Sequence, residues 1–413
     1  MTAVKPVLKP VLMKLGTVAP FALALSLTPV PAVGQESSPE TRAATVEQAQ
    51  AAKAGDLRQY VPNKAEKYLN YAETVLTTTG LRLHPFFESA YSGGGFTLGA
   101  GYRSYVNAYD TVDVRGSVTF SGYKRLEGEL LMPRLFKRQG VLSVIGGWRE
   151  ATQVGFYGLG MGNSADDRAN YGFQQPYANA TLTFRPGHRR LVLRGSLESS
   201  QWEQTPGSGA QPSVDEVYTP ESLTGLGASV TYFHSQGTIG VDSRPSPGYA
   251  RRGGFYGVTV HDFTDHGDAH GFTQWEYEAI QHIPLKRDTW VLSFRGHVAT
   301  TGTKSGQQIP FFMLPAVGGG SSLRGYPSWR FRDRNSLELQ GEWRVIANRF
   351  LDMAVFFDAG KVTAHARDLD LERLKTDAGL GFRFHGPLAT PLRVEFAQGS
   401  EGLSMVWAAS AAF

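Results

Sequence analysis

The chain of 413 residues contains no cysteine. That excludes a disulfide framework, a thiolate zinc site and a cysteine nucleophile, and it suits passage through an oxidising compartment. Charge is also sparse, at 19% of residues. An excess of one sign is missing as well. Lys5, Lys9 and Lys14 stand in an acid-free leader, and without them 38 basic residues face 37 acidic ones. A near-neutral remainder carries no electrostatic footprint for nucleic acid. No apolar run of 18 residues lies beyond the leader, so a helical membrane span is not expected. Strands that cross a bilayer escape this test, because each holds only about ten residues of alternating pattern. Neither a G-x-S-x-G element nor a G-x-x-x-x-G-K-[ST] loop occurs, so nothing specific points to a hydrolase or a nucleotide-binding loop.

What is present in quantity is glycine (48 residues) and aromatics (12%). Residues 1–34 read as a secretory signal: a basic start, an apolar stretch from Leu15 to Leu27, then Ala32-Val33-Gly34 before Gln35. Residues 35–83 read as a linker rich in Ala, Glu, Lys and Gln. Within it Ala65, Tyr68, Leu69, Ala72, Val75 and Leu76 recur at helical spacing after Pro62, which predicts one short amphipathic helix.

From His84 onward the period switches to two. Val112, Val114, Val118 and Phe120 oppose Asp113 and Arg115; Leu191, Leu193 and Leu197 oppose Arg194 and Glu198; Ala378, Leu380, Phe382 and Phe384 oppose Arg383 and His385. Sixteen such segments are expected, the first at 84–92 and the last at 403–413. Long links near 152–175, 203–223, 302–334 and 362–374 alternate with tight ones such as Pro186-Gly187-His188. Long loops on one rim and short turns on the other are the arrangement of outer-membrane barrels, and closure alone leaves no unpaired edge in lipid. The predicted fold is all-β: a 16-stranded antiparallel transmembrane barrel over residues 84–413, preceded by the short helical segment.

The stretch around which the rest is organised runs from Gly318 to Val362. A glycine-flanked loop carries Leu323-Arg324-Gly325-Tyr326, and two strands follow. Leu337, Leu339, Gly341, Trp343 and Val345 share one face of the first, Glu338, Gln340, Glu342 and Arg344 the other. The second strand puts Asp352, Phe356 and Asp358 opposite Met353, Val355 and Phe357. Arginine suits a clamp because its planar fork binds two carboxylates at once. A hairpin centred near Asn348 sets Glu338 opposite Asp358, so spacing leaves Glu338 and Glu342 both open as the second acid.

These residues resemble the barrel domain of the BamA/TamA-type outer-membrane assembly and translocation superfamily, the bacterial surface antigen family. There a (V/I/L)RG(F/Y) loop tip folds into the lumen, and its arginine meets acids on the next two strands, the second within F-x-D-x-G. Phe356-Phe357-Asp358-Ala359-Gly360 matches that pattern. The resemblance covers roughly residues 84–413, favours Glu342 beside Asp358, and implies a non-enzymatic protein without cofactor in the bacterial outer membrane. The implied partners are outer-membrane lipid and lipopolysaccharide, client outer-membrane polypeptides, and barrel-assembly machinery during biogenesis. The family mechanism rests on a weak seam between first and last strands. Here Gly93, Gly94 and Gly95 would weaken the first, since glycine lowers strand stability. Phe413 would end the last strand as an insertion signal, on one face with Leu403, Met405, Trp407, Ala409 and Ala411. Family members usually carry periplasmic POTRA modules of about 75 residues before the barrel, and the linker is too short for one. This departure keeps a passive channel or structural surface protein as the alternative, with a barrel-rim hydrolase behind it.

Three further features read as ordinary. His261, Asp262, Asp265, His266, Asp268 and His270 are types that suit zinc, but they straddle a strand end and a loop where such residues face water; no metal is assigned. Gly158 to Asn163 lacks the strand-to-helix setting of a nucleotide fingerprint. Trp148, Phe156, Tyr157, Trp202, Trp275, Trp290 and Trp329 divide between interface girdle and loop packing.

Overall fold

The structure is a computed structural model that describes residues 46–47, 81–188, 190–286, 289–386, 389–408 and 411–413. The expected signal segment and the helix after Pro62 lie outside these residues. The chain divides into two compact units, residues 1–63 and 64–413. In the first, Val46 and Glu47 are helical. All strands among the described residues belong to the second.

Sixteen strands form one antiparallel sheet in strict chain order. They are β1 (Leu83–Pro85), β2 (Thr97–Tyr105), β3 (Thr111–Thr119), β4 (Lys124–Arg134), β5 (Gly140–Phe156), β6 (Ala169–Phe184), β7 (Leu191–Pro206) and β8 (Ser229–Asp242), then β9 (Gly253–Asp265), β10 (Phe272–Leu285) and β11 (Trp290–Thr303). After a lumenal ribbon of β12 (Ala316–Val317) and β13 (Phe331–Arg332) come β14 (Asn335–Ile346), β15 (Leu351–Thr363), β16 (Lys375–Phe384), β17 (Leu392–Gly399) and β18 (Gly402–Ala408). β11 pairs directly with β14, so the whole ribbon is an excursion from one hairpin.

The alternation of the sequence becomes the two sides of this wall. On β15, Met353, Val355 and Phe357 are about half exposed, whereas Asp352 and Asp358 are fully buried. Leu380, Phe396, Met405 and Trp407 continue the apolar outer surface; Glu127, Arg344, Arg383 and Glu395 line the inside. Apolar residues outside and ions within is the inverse of a soluble protein, and it is what a barrel in lipid requires.

Several strands outrun their expected ends. β5, β6 and β7 extend into 152–156, 169–175 and 203–206 because their inner faces enter an apolar cap at the long-loop rim. Phe156, Tyr171, Phe173 and Trp202 pack there with Phe311 and Phe312 from the excursion before β14. This places Phe156, Tyr157 and Trp202 inside, away from any girdle, while Trp275 faces outward and Trp290 packs edge-on against Trp343.

Both ends of the sheet depart from expectation. β1 has three residues rather than the nine of 84–92. After Pro85 the chain turns inward: Phe86 is buried beneath the guanidiniums of Arg115 and Arg125, and Ser117 donates to the Glu88 carbonyl. At the other end, β18 is described from Gly402 to Ala408, and Phe413 stacks on the lumenal His282 instead of facing lipid. Ala250, Ser293, Arg344 and Thr390 line the same recess. Among the described residues, no ladder joins β1 to β18.

Candidate functional site

The site is built by the excursion between β11 and β14. Residues 311–313 form a single tight turn inside the apolar cap, and the β12–β13 ribbon then carries the tip down into the lumen. The tip folds on itself. Gly319 N–H donates to the carbonyls of Leu323 and Tyr326 (3.0 Å each), and Gly318 N–H donates to Ser322 Oγ (2.7 Å). Gly318 and Gly319 have φ of 123° and 91°, the left-handed region open to glycine. Leu323 and Tyr326 close a small cluster with Val317, Phe331 and Val362.

Between these two side chains, Arg324 is fully buried. Its Nε and Nη2 donate to Asp358 Oδ2 and Oδ1, both at 2.7 Å, the paired fork geometry that a guanidinium makes with a carboxylate. Nη1 donates to Glu395 Oε1 at 2.9 Å, and the planar group lies 3.5 Å from the centre of the Phe356 ring. Glu342 stands further off, at 3.6 Å.

The nearer second acid is therefore Glu395 on β17; Glu342 keeps an ion pair with Arg324 at the longer distance, and Glu338 is engaged elsewhere. Glu342 is held by Arg383, which also donates to Glu395 (2.7 Å). Glu338 takes Arg295 at 2.9 Å and lies 3.6 Å from His297. Glu395 receives a third arginine, Arg393, at 2.5 Å. Three guanidiniums (Arg324, Arg383, Arg393) thus meet three carboxylates (Asp358, Glu342, Glu395), all buried. This matching of charge is what allows so many ions in a covered place, since an unpaired one would cost several kcal/mol.

Register explains part of the difference. The turn 347–350 is capped by the Asn348 carboxamide, which accepts from the N–H groups of Phe350 and Leu351, and the hairpin it sets puts Gln340, not Glu338, opposite Asp358. Gln340 then donates to the Ser322 carbonyl at 2.8 Å, a further tie on the loop. Arg383, Arg393 and Glu395 stand in plain alternation with Phe382, Val394 and Phe396, so their inward face was readable; their convergence on Arg324 was not.

Gly325 has a separate reason. A Cβ there would come 2.5 Å from Asp377 Cβ and 2.8 Å from the Gly399 nitrogen, so only glycine lets the loop seat against β16 and β17. Tyr326 Oη donates to the Thr376 carbonyl (3.2 Å) and lies 3.0 Å from Ser400 Oγ. The turn at Gly158 to Asn163 covers the ribbon from outside: Gly160 N–H donates to the Arg332 carbonyl, and Arg330 donates to the Asn163 carbonyl.

Gly93, Gly94 and Gly95 lie in the inward-turned segment after β1. Together with the loop tip at Gly319–Ser328 and β18 at Ser404–Ala408, they line a cavity of about 740 Å³. The site thus sits directly behind the gap between first and last strands. The His261–His270 residues scatter: His261 meets His234 in the lumen (3.0 Å), Asp262 pairs with Lys304, and Asp265 accepts three backbone N–H groups of its own turn. Among the described residues, no group of three or more His, Cys, Asp or Glu is placed to hold a metal ion.

Residues 89–400 match the family model of the Omp85 superfamily domain. Among solved structures, BamA from Haemophilus ducreyi lacking POTRA domains 1-3 is similar, with a TM-score of 0.57 at 15% identity over 86% of this chain and 80% of that one. CdiB from Escherichia coli gives a TM-score of 0.52 at 14% identity over 79% of this chain and 61% of that one. At such identities the likeness is one of fold. No curated protein sequence matches the chain.

Proposed function

The chain belongs to the Omp85 superfamily, whose barrels reside in outer membranes, and from that premise we propose that it helps polypeptides into or across that membrane through the seam between β1 and β18. The observation that carries this reading is the placement of the 740 Å³ cavity: it is lined by β18, by the segment that follows β1 and by the tip of the Arg324 loop, not by the middle of the wall. An extended client strand needs backbone partners, and the two unjoined edges would supply them. The partners we propose are client outer-membrane polypeptides, with lipid and lipopolysaccharide around the wall.

The passive channel is the second reading. Against it stands the apolar cap, in which Phe156, Tyr171, Phe173 and Phe311 are all but fully buried across the long-loop mouth. On the short-turn side, Tyr249 Oη donates to Asp352 (2.9 Å) and lies 3.1 Å from His385, so residues 243–252 form a strap at that mouth too. A lumen obstructed at both ends suits a lateral route better than an axial one.

The test is reconstitution of the purified barrel in liposomes with a radiolabelled, unfolded client barrel. Protease-resistant, heat-modifiable client well above empty liposomes supports the proposal. Client at the empty-liposome level, with steady conductance steps in a planar bilayer, would favour the channel.

A further inference from the structure

The Arg324 loop touches both sides of the seam that has no ladder. On the last-strand side, Arg393 donates to the Gly320 carbonyl (2.7 Å), Arg330 pairs with Glu401 in the β17–β18 turn (2.8 Å), and Tyr326 meets Ser400. Gly320 itself lies against Val406 of β18, where a Cβ would come 2.6 Å from Val406 Cγ1. On the first-strand side, Trp329 stacks on Tyr91 with ring centroids 4.5 Å apart and planes 10° from parallel. Its indole N–H donates to the Ser92 carbonyl at 2.9 Å.

From this we infer that the loop is a staple across the seam, fixed to β17–β18 by charge and held to the segment after β1 by Trp329 as the releasable leg. The inference rests on the seam reading proposed above and names the residue that regulates it. The two legs differ in kind. Arg324 and Arg330 are buried and ion-paired, so freeing them takes the guanidinium from Asp358 and from Glu401. Trp329 leaves behind only a ring and one carbonyl, which water can satisfy. Its backbone also sits at φ 65°, a left-handed conformation uncommon for a bulky residue.

The order of events follows. Opening begins on the first-strand side: residues 86–96 swing from Trp329 while the loop remains seated on Asp358 and Glu395. The part of the β2 edge that β1 does not cover, Thr97 to Gly99, then becomes available for pairing, and the loop stays behind as the floor of the cavity.

Because the chain has no cysteine, single thiols report on each leg. Ala90→Cys probes the first-strand segment and Ser322→Cys the loop; both positions are buried, at 3% and 5% exposure. Maleimide labelling of the purified barrel in detergent is the readout, with heat-modifiable migration confirming that each variant is folded. Trp329→Ala is expected to speed labelling at Ala90→Cys about tenfold and leave Ser322→Cys unchanged, because only one locally stable unit opens. Arg324→Ala should expose both thiols, and Trp329→Phe, which keeps the stack and loses the N–H, should fall between Trp329→Ala and the parent. The staple is overturned if Trp329→Ala leaves Ala90→Cys protected, or exposes Ser322→Cys to the same degree. These rates need no client. If they come out as expected while client insertion is absent, the staple stands and the insertion reading falls.

Discussion

Two arginine–carboxylate clusters line the same lumen, and they differ mainly in what covers them. On β3 and β4, Arg115 meets Glu127 (2.5 Å) and Glu129 (2.7 Å), and Arg125 meets Glu127 (2.7 Å) with Tyr177 donating to the same acid. Those distances match that of the Arg324–Asp358 pair under the loop, 2.7 Å. Yet the Arg115 and Arg125 side chains keep 14% and 17% exposure, whereas Arg324, Arg383 and Arg393 keep 0, 1 and 3%. The folded tip at Ser322 to Tyr326 makes the difference. The same residue types leave the guanidiniums partly hydrated around a buried Glu127 in one place and form a dry cluster in the other. The dry one ties a loop down because there both the guanidiniums and the carboxylates are out of water, and losing a partner strands a charge.

Breaking the dry cluster should therefore have the largest effect. Arg324→Ala is expected to cost about 3–5 kcal/mol, read as a lower urea midpoint for the heat-modifiable barrel, and to raise protease cleavage within 302–334. Arg324→Lys keeps the charge but cannot form the paired bonds to Asp358 while reaching Glu395, so it should recover only part of that loss. Gly325→Ala comes next. Its methyl has no room beside Asp377 and Gly399, and a cost of roughly 1–3 kcal/mol is expected, with cleavage of the loop rising while Arg324 itself is intact. Tyr249→Phe should be milder, about 1 kcal/mol, and should make a thiol at Ser293 label faster. That residue is buried beside His282 in the recess of Ala250. Arg115→Gln should be smallest, about 0–1 kcal/mol, and strongly reduced by salt. If Arg115→Gln proved as costly as Arg324→Ala, cover by the loop would not be what separates the clusters.

Much of the wall was legible because a strand in lipid has so few options. Asp352, Asp358 and Arg383 among Met353, Val355, Phe357 and Phe382 declare their faces by alternation alone, and sixteen strands in order follow from counting such segments. The loop was legible through Leu323-Arg324-Gly325-Tyr326 and Phe357-Asp358-Ala359-Gly360. What failed was anything set by closure in three dimensions. Glu395 lies 71 residues from Arg324 and reaches it only because β17 lies beside β16 within reach of the tip. Glu342 does pair with Arg324, at 3.6 Å, but Arg383 holds it more closely, and Glu338 goes to Arg295. The ends misled for a related reason. Alternation at 84–92 and 403–413 suggests pairing, but Phe86 and Phe413 both find lumenal partners that no linear spacing announces.

The most direct measurement is thiol labelling of Ser322→Cys in the folded barrel, with and without Arg324. The account predicts a thiol protected in the parent and freely labelled in Arg324→Ala, with Asp358→Asn between them. Equal labelling of parent and Arg324→Ala would mean that the guanidinium does not hold the loop in the lumen, and would contradict the account.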